Sequence, residues 1–185
     1  MLVLLIAAGV IILFIILIYN NLVGKKNQVA NAFSSIDVLL KKRFDLIPNL
    51  TQTVKRYMQY EADVLTQVTE IRTSALSGQM TEADIVDMDR KLSSALGRIM
   101  VAVENYPELK ASNTFLNLQA SLNEVEEQIS AARRAYNAAV KDYNNALEMF
   151  PGNIAARFMR YEQKVFFEIA AGEKQPVDLG KMLDI

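Results

Sequence analysis

Three carboxylates, Glu61, Glu104 and Glu126, stand in what the sequence pattern makes three different helices, and converging acids are the usual start of a metal centre. Di-iron bundles complete such a site with Glu-x-x-His pairs, and this chain has no histidine. It also has no cysteine, so a thiolate site is excluded along with any disulfide framework. An all-oxygen calcium or manganese site is the metal chemistry left open. Nucleophilic catalysis finds no base placed to activate a Ser, Thr or Lys, and no Gly-rich loop is present to cradle phosphate. The chain is therefore read as non-enzymatic, with no catalytic residue, cofactor or metal expected. A plainer use exists for the same polar groups. Glu61 interrupts an apolar stripe between Tyr57 and Val64, and Arg72 follows on nearly the same face. Glu126 and Arg133 are seven apart, and Tyr136-Asn137 recurs seven residues later as Tyr143-Asn144. Such groups are expected as interhelical ion pairs and amide bridges that fix register.

The elements that must position these residues are helices. Seven Gly and four Pro in 185 residues leave little punctuation for a meander of strands. Apolar residues recur at alternating spacings of three and four, the period of coiled-coil-like packing. Val29, Ala32, Ile36 and Leu39 form a first stripe, and Ile47, Leu50, Val54 and Tyr57 through Val64, Val68, Ile71 and Ala75 a second. Ile85, Met88, Leu92, Ala95, Ile99 and Ala102 form a third. Phe115, Leu118, Leu122, Val125, Ile129, Ala132, Tyr136, Ala139, Tyr143 and Leu147 form a fourth. Breaks are expected at Asp45-Leu46-Ile47-Pro48, at Ser77-Gly78 before a capping box Thr81-Glu82-Ala83-Asp84, at Asn105-Tyr106-Pro107 and at Pro151-Gly152. Short connections make neighbours antiparallel, so the expected fold is all-α: an up-down four-helix bundle with a short C-terminal helix.

Residues 1–18 contain no polar side chain, and about 28 Å of helix crosses the hydrocarbon of a bilayer. No Lys or Arg precedes this run, and no small-residue cleavage site follows it, so an uncleaved anchor over residues 1–19 is favoured over a signal peptide. Lys25, Lys26, Lys41, Lys42 and Arg43 all follow the span. The positive-inside rule then puts the N-terminus outside and the bundle, residues 20–170, in the cytoplasm. Gly24 is the obvious flexible point between the two. Charges over the whole chain nearly cancel, 20 basic against 21 acidic, so nothing argues for nucleic acid.

The segment 150–167 is aromatic, with Phe150, Phe158, Tyr161, Phe166 and Phe167. Read as a helix, it puts Arg157, Arg160 and Lys164 on one face and Phe158, Tyr161 and Val165 on another. It either caps an open end of the bundle or lies on anionic lipid, with the three cations toward headgroups and Phe158 and Tyr161 against the bundle or the acyl boundary. From Ala171 to the end, Gly, Pro and mixed charges suggest a flexible tail, residues 171–185.

Several stretches read together carry a resemblance. They are Tyr19-Asn20-Asn21-Leu22-Val23, Ala32-Phe33-Ser34-Ser35-Ile36-Asp37-Val38, Arg43-Phe44-Asp45-Leu46-Ile47-Pro48-Asn49-Leu50, Glu104-Asn105-Tyr106-Pro107-Glu108-Leu109-Lys110, Ala132-Arg133-Arg134-Ala135-Tyr136-Asn137 and Tyr143-Asn144. From the anchor to about Glu168, the sequence resembles the LemA family of bacterial membrane proteins. The resemblance implies a single-pass anchor in the inner membrane and a long-helix bundle facing the cytoplasm. Asn49, Glu104, Tyr106, Pro107, Arg133, Tyr136 and Asn137 carry over as signature positions rather than as a site. Some family members resemble factors for building membrane organelles, and others are encoded beside membrane metalloproteases. The expected function is thus a membrane-anchored scaffold or adaptor, contacting lipid, self-associating as a homo-oligomer and presenting its bundle to a membrane protein such as a metalloprotease. The alternative is a regulatory sensor whose bundle responds to a ligand near Glu61.

Overall fold

The computed structural model describes residues 1–58, 62–76 and 82–167, all helical or connecting, with no strand among them. Six helices follow in order along these residues: α1 (Leu2–Lys55), α2 (Ala62–Leu76), α3 (Glu82–Val103), α4 (Pro107–Lys110), α5 (Asn113–Glu148) and α6 (Gly152–Met159).

The first helix departs from expectation. It runs 54 residues without a break, roughly 81 Å, through Gly24 and through Pro48. No helix ends at Asp45–Pro48; the turn falls instead at Arg56-Tyr57. A proline inside a helix removes the bond to the carbonyl four residues back, which here belongs to Phe44. That carbonyl is not left bare: Arg72 of α2 donates its Nε–H to it at 3.2 Å. Arg72 therefore acts as a substitute donor for the missing amide, which lets α1 continue where sequence rules would stop it.

Residues 1–17 are exposed throughout, and among the described residues α1 is the helix long and apolar enough to cross a membrane. Beyond this stretch, Leu22, Val29, Ile36, Arg43 and Leu50 are buried at intervals of seven. Residues 20–55 of α1 match α5, 36 residues or about 54 Å, in length. The two run antiparallel along their whole shared extent. Lys42 stands beside Glu124, Phe33 packs on Tyr136, and Phe14 and Leu17 share a cleft with Met149 and Phe150. Because the lengths match, α5 ends beside the end of the span.

The middle helices are shorter, about 22 Å for α2 and 33 Å for α3. They pack on each other, with Arg98 donating to Gln67 at 3.1 Å, and α2 lies against the distal part of α1. The α1–α5 pair thus has cover from α2 and α3 at its distal end, while its span-proximal end needs another solution. The core of α2 lies on Val68 and Ile71 of the expected stripe together with Leu65, while Val64 and Ala75 are half-buried, and α3 buries Ile85, Leu92, Leu96, Ile99 and Val103. The expected stop at Tyr106-Pro107 is present: α3 ends at Val103, and Pro107 opens the single turn of α4. Ser77-Gly78, Thr81, Glu61 and the tail 171–185 lie outside the described residues.

Candidate functional site: a buried charge network and an asparagine clasp

The first polar cluster grows out of the heptad pattern. Leu22, Val29 and Ile36 dictate that position 43 faces α5, and position 43 is an arginine, only 4% exposed. On α3, the buried series Ile85, Leu92, Leu96, Ile99 has Asp89 in its seam, 2% exposed. A buried charge demands partners. Arg43 Nη1 lies 3.1 Å from Asp89 Oδ1, 3.0 Å from Ser93 Oγ and 2.8 Å from Glu126 Oε2. Arg133 closes the ring by donating to the second oxygen of Asp89, with Glu126 3.9 Å from its other terminal nitrogen. Two cations and two anions from α1, α3 and α5 therefore neutralise one another. Burial pushes the Asp89 carboxyl above its ordinary value; Arg133 and Arg43 oppose that push without cancelling it. Arg43 Nε and Arg133 Nε make no hydrogen bond. This fits a network that specifies which helix faces meet, and it marks the cluster as a weak source of net stability.

Glu126 and Arg133, expected in interhelical ion pairs, pair with Arg43 of α1 and Asp89 of α3 respectively. Arg43, which the sequence places among the topogenic cations, is instead internal, and Asp89 is masked in the sequence by its neighbour Met88, which is only half-buried. Glu104 is not brought toward Glu126: it pairs with Lys110 on the surface, across the turn made by Tyr106 and Pro107. Among the described residues, no group of three or more potential metal ligands is assembled.

The second cluster lies nearer the span and corrects the expectation of amide bridges between helices. Beyond α6 the chain does not stay helical. Arg160 adopts a left-handed conformation (φ 51°, ψ 42°), and residues 161–167 run back along α5 as an irregular strap. A strap brings backbone N–H and C=O groups that helices would have satisfied internally. Two asparagines meet this need. Asn144 donates from Nδ2 to the carbonyl of Lys164 (2.9 Å) and accepts the Lys164 amide on Oδ1 (2.9 Å). Asn137 does the same for Phe167, at 3.0 and 2.8 Å. Tyr136 adds its hydroxyl to the Val165 carbonyl at 3.1 Å. The spacing is physical: seven helical residues rise about 10.5 Å, and three extended residues about 10 Å. Only a carboxamide offers donor and acceptor side by side, so each Asn mimics the edge of a β-ladder.

Rings lock the strap. Phe167 is buried edge-on against Tyr136 (centroids 5.6 Å apart), which packs on Phe33, and the Arg133 guanidinium lies 5.8 Å from the Phe167 ring. Tyr161 packs against Tyr143, with Lys26 Nζ 4.6 Å from its ring. Burial, and then the neighbouring Tyr161, push the Tyr143 phenol above its ordinary value. The amphipathic helix expected over 150–167 is therefore confined to residues 152–159. Lys164 is half-buried and held by its backbone, Tyr161 packs on the bundle, and Phe158, 87% exposed, does not pack on the bundle, the first of its two expected places; Arg157 and Arg160 are exposed too.

Asn49 is exposed and lines an open cleft with Gln52, Arg56, Asn117 and Ser121 above Leu46 and Leu118. An open groove between the end of α1 and α2 is lined by Thr51, Thr69 and Thr73. Their hydroxyls donate to carbonyls one turn back at 2.9 Å, so their protons are used within the helices.

A chain whose described elements are all helices, with a bare apolar N-terminal stretch and buried polar residues that bind its own chain, is of the class of membrane-associated helical proteins. The LemA family model matches residues 32–179, most of the chain, and the protein belongs to that family. It is 24% identical to Protein LemA of Metamycoplasma hominis, covering 88% of this chain and 74% of that one. It is likewise 24% identical to Magnetosome protein MamQ 2 of Paramagnetospirillum magneticum (86% and 68% covered) and 23% identical to Magnetosome protein MamQ of Magnetospirillum gryphiswaldense (84% and 66%). The apolar helix and these relatives are consistent with a membrane-anchored protein.

Proposed function

We propose that the protein is a membrane-anchored, up-down helical bundle that acts as a non-enzymatic scaffold or adaptor, self-associating and presenting its distal end to another membrane protein, of which a membrane metalloprotease is one candidate class. The observation that carries this reading is where the polar motif residues go. Arg43, Asp89, Glu126, Arg133, Asn137 and Asn144 all bond to other parts of the chain. They stiffen a rod of about 54 Å standing on a span. A stiff spacer positions partners at a fixed height above a membrane. Lys25, Lys26, Lys41 and Lys42 follow the span, which supports an orientation with the N-terminus outside and the rod in the cytoplasm of a bacterial inner membrane.

The test is purification of the full-length protein in a mild detergent and in nanodiscs, with the mass of the particles measured and co-purifying proteins quantified. Multiples of the chain mass and a stoichiometric membrane-protein partner are the expected result. Monomers in every detergent and in nanodiscs would refute self-association, and the lack of any stoichiometric partner would refute the adaptor role. The chain has no cysteine, so a single Glu127→Cys variant tests orientation. Reaction with an impermeant maleimide in intact spheroplasts would reverse it.

A further inference from the structure

The anchor is not the only apolar surface left bare. At the corner between α5 and α6, Met149, Phe150, Ile154 and Phe158 are all exposed, Phe150 at 77%. On the distal rod, by contrast, exposed large apolar residues such as Val38, Val101 and Leu116 are separated along the chain. Four clustered apolar side chains with no cover are unusual on a water-facing surface.

Their position says what covers them. Phe150 and Met149 line one cleft with Phe14, Leu17 and Ile18, which belong to the last turns of the apolar span. Gly152 fixes the corner's approach: a Cβ there would fall 2.1 Å from the Ala146 carbonyl oxygen, and the nearest side chain, at 3.9 Å, is Leu22 of α1. Further on, Tyr161 lies beside Lys26, about 10 Å of helical rise past Tyr19. The polar layer of a bilayer adds roughly 5–8 Å on each side of its hydrocarbon. α6 therefore occupies the height of that layer. Its bare surface is divided as such a layer requires. Ile154 and Phe158, four apart, make an apolar edge; Asn153 and Arg157 make a polar one, followed by Arg160. Ala156 holds the opposite side against the core.

We propose that the α5–α6 corner is a second membrane contact. Met149 and Phe150 sit at the acyl edge beside Phe14 and Leu17. Ile154 and Phe158 lie in the interfacial layer, and Arg157 and Arg160 reach lipid phosphates. The occupant of this surface is the lipid bilayer itself. The span together with the corner would fix the tilt of the rod, which a single helix crossing alone does not. This rests on the span being membrane-inserted, and the test separates the two claims.

Full-length Ile154→Cys, Phe158→Cys, Ile11→Cys and Asn123→Cys variants are spin-labelled and placed in nanodiscs of phosphatidylcholine and phosphatidylglycerol. Collision with oxygen is compared with collision with a water-soluble nickel chelate. The Ile11 label is expected to favour oxygen strongly, the Asn123 label to favour the chelate, and the Ile154 and Phe158 labels to favour oxygen by an intermediate margin. If Ile11 favours oxygen while positions 154 and 158 match Asn123, the corner is in water and the proposal is overturned, with the anchor intact. If Ile11 favours the chelate, the anchor reading falls, and the corner contact with it.

Discussion

At the level of Arg43, the groove between α1 and α5 is closed by α3, and the closure is ionic. At the level of Tyr136 and Asn144, the same groove is closed by a strap, and the closure is made of neutral amides. The difference follows from what each covering segment brings with it. A helix arrives with its backbone already hydrogen-bonded, so only side chains remain to be matched, and Asp89 meets Arg43 and Arg133 across the seam. An extended segment arrives with its amides and carbonyls unmet. The receiving helix must then offer donor and acceptor together, which Asn137 and Asn144 do. Charge neutrality governs the distal half, and backbone satisfaction the proximal half.

The comparison breaks first at Asp89. Removing one member of a buried ion cluster strands the others, at a cost of about 3–5 kcal/mol. Asp89→Ala should therefore lower the thermal midpoint of the detergent-solubilised protein more than the loss of either clasp asparagine or of Arg72. Replacing Arg43, Asp89, Glu126 and Arg133 together by Met, Leu, Gln and Met should restore most of that loss, because apolar residues of like volume replace such clusters well. A small effect of Asp89→Ala would show that the distal half is not held by charge.

In the proximal half the loss should be smaller and local. Asn144→Ala or Asn137→Ala removes the donor and acceptor that Lys164 or Phe167 meets on α5, at about 1–3 kcal/mol if the strap stays in place. The strap avoids that cost by lifting away. Hydrogen exchange should therefore accelerate at the amides of 164 and 167, with the global midpoint nearly unchanged. Asn137→Asp sharpens this, since it keeps an acceptor for the Phe167 amide but loses the donor to its carbonyl. Equal protection in Asn137→Asp and the parent would mean that the carbonyl bond is idle.

A third effect lies where α2 touches α1. Arg72→Ala should cost about 0.5–1.5 kcal/mol through the Phe44 carbonyl. In a Pro48→Ala background, residue 48 supplies its own amide to that carbonyl, and the same change should cost measurably less. Additivity in this double-mutant cycle would rule out Arg72 as the substitute donor.

These residues also show how far the fold is legible in the sequence. The all-helical class and the bare apolar stretch of α1 follow from periodicity and composition, from the 3.5-residue spacing and the apolar run over residues 1–18. The break expected at Pro48 is absent because helix rules treat proline locally, while its rescue comes from Arg72 on another helix. Arg43 and Asp89 are legible in principle: Arg43 continues the interval of seven from Leu22, Val29 and Ile36, and Asp89 falls between Ile85 and Leu92. Counting only apolar residues passes over both. Asn137 and Asn144 stand out as a repeat, but their partner is main chain, which has no sequence signature. Periodicity therefore extends α6 past Arg160, where the chain leaves the helix to reach them.

The smallest expected effect is a titration, and it ties the clasp to the groove it closes. Tyr143 is buried beneath the strap beside Tyr161, so its phenol holds its proton above the ordinary value of 10.0. The folded state then binds that proton more tightly than the unfolded state does. Stability contributed this way is complete below the ordinary value and falls as pH rises past it. An ultraviolet phenolate titration of the solubilised protein should contain a late component, and Tyr143→Phe should diminish it. Tyr161→Phe should bring it down only partly, because burial is the larger cause and Tyr161 the smaller. Asn144→Ala should bring it further toward the ordinary value, since a lifted strap lets water reach the ring, while Asp89→Leu should leave it in place as long as the fold holds. If the late component is unmoved in Asn144→Ala, Tyr143 owes its burial to α1 and α5 alone, and the strap is a cover that the groove does not need.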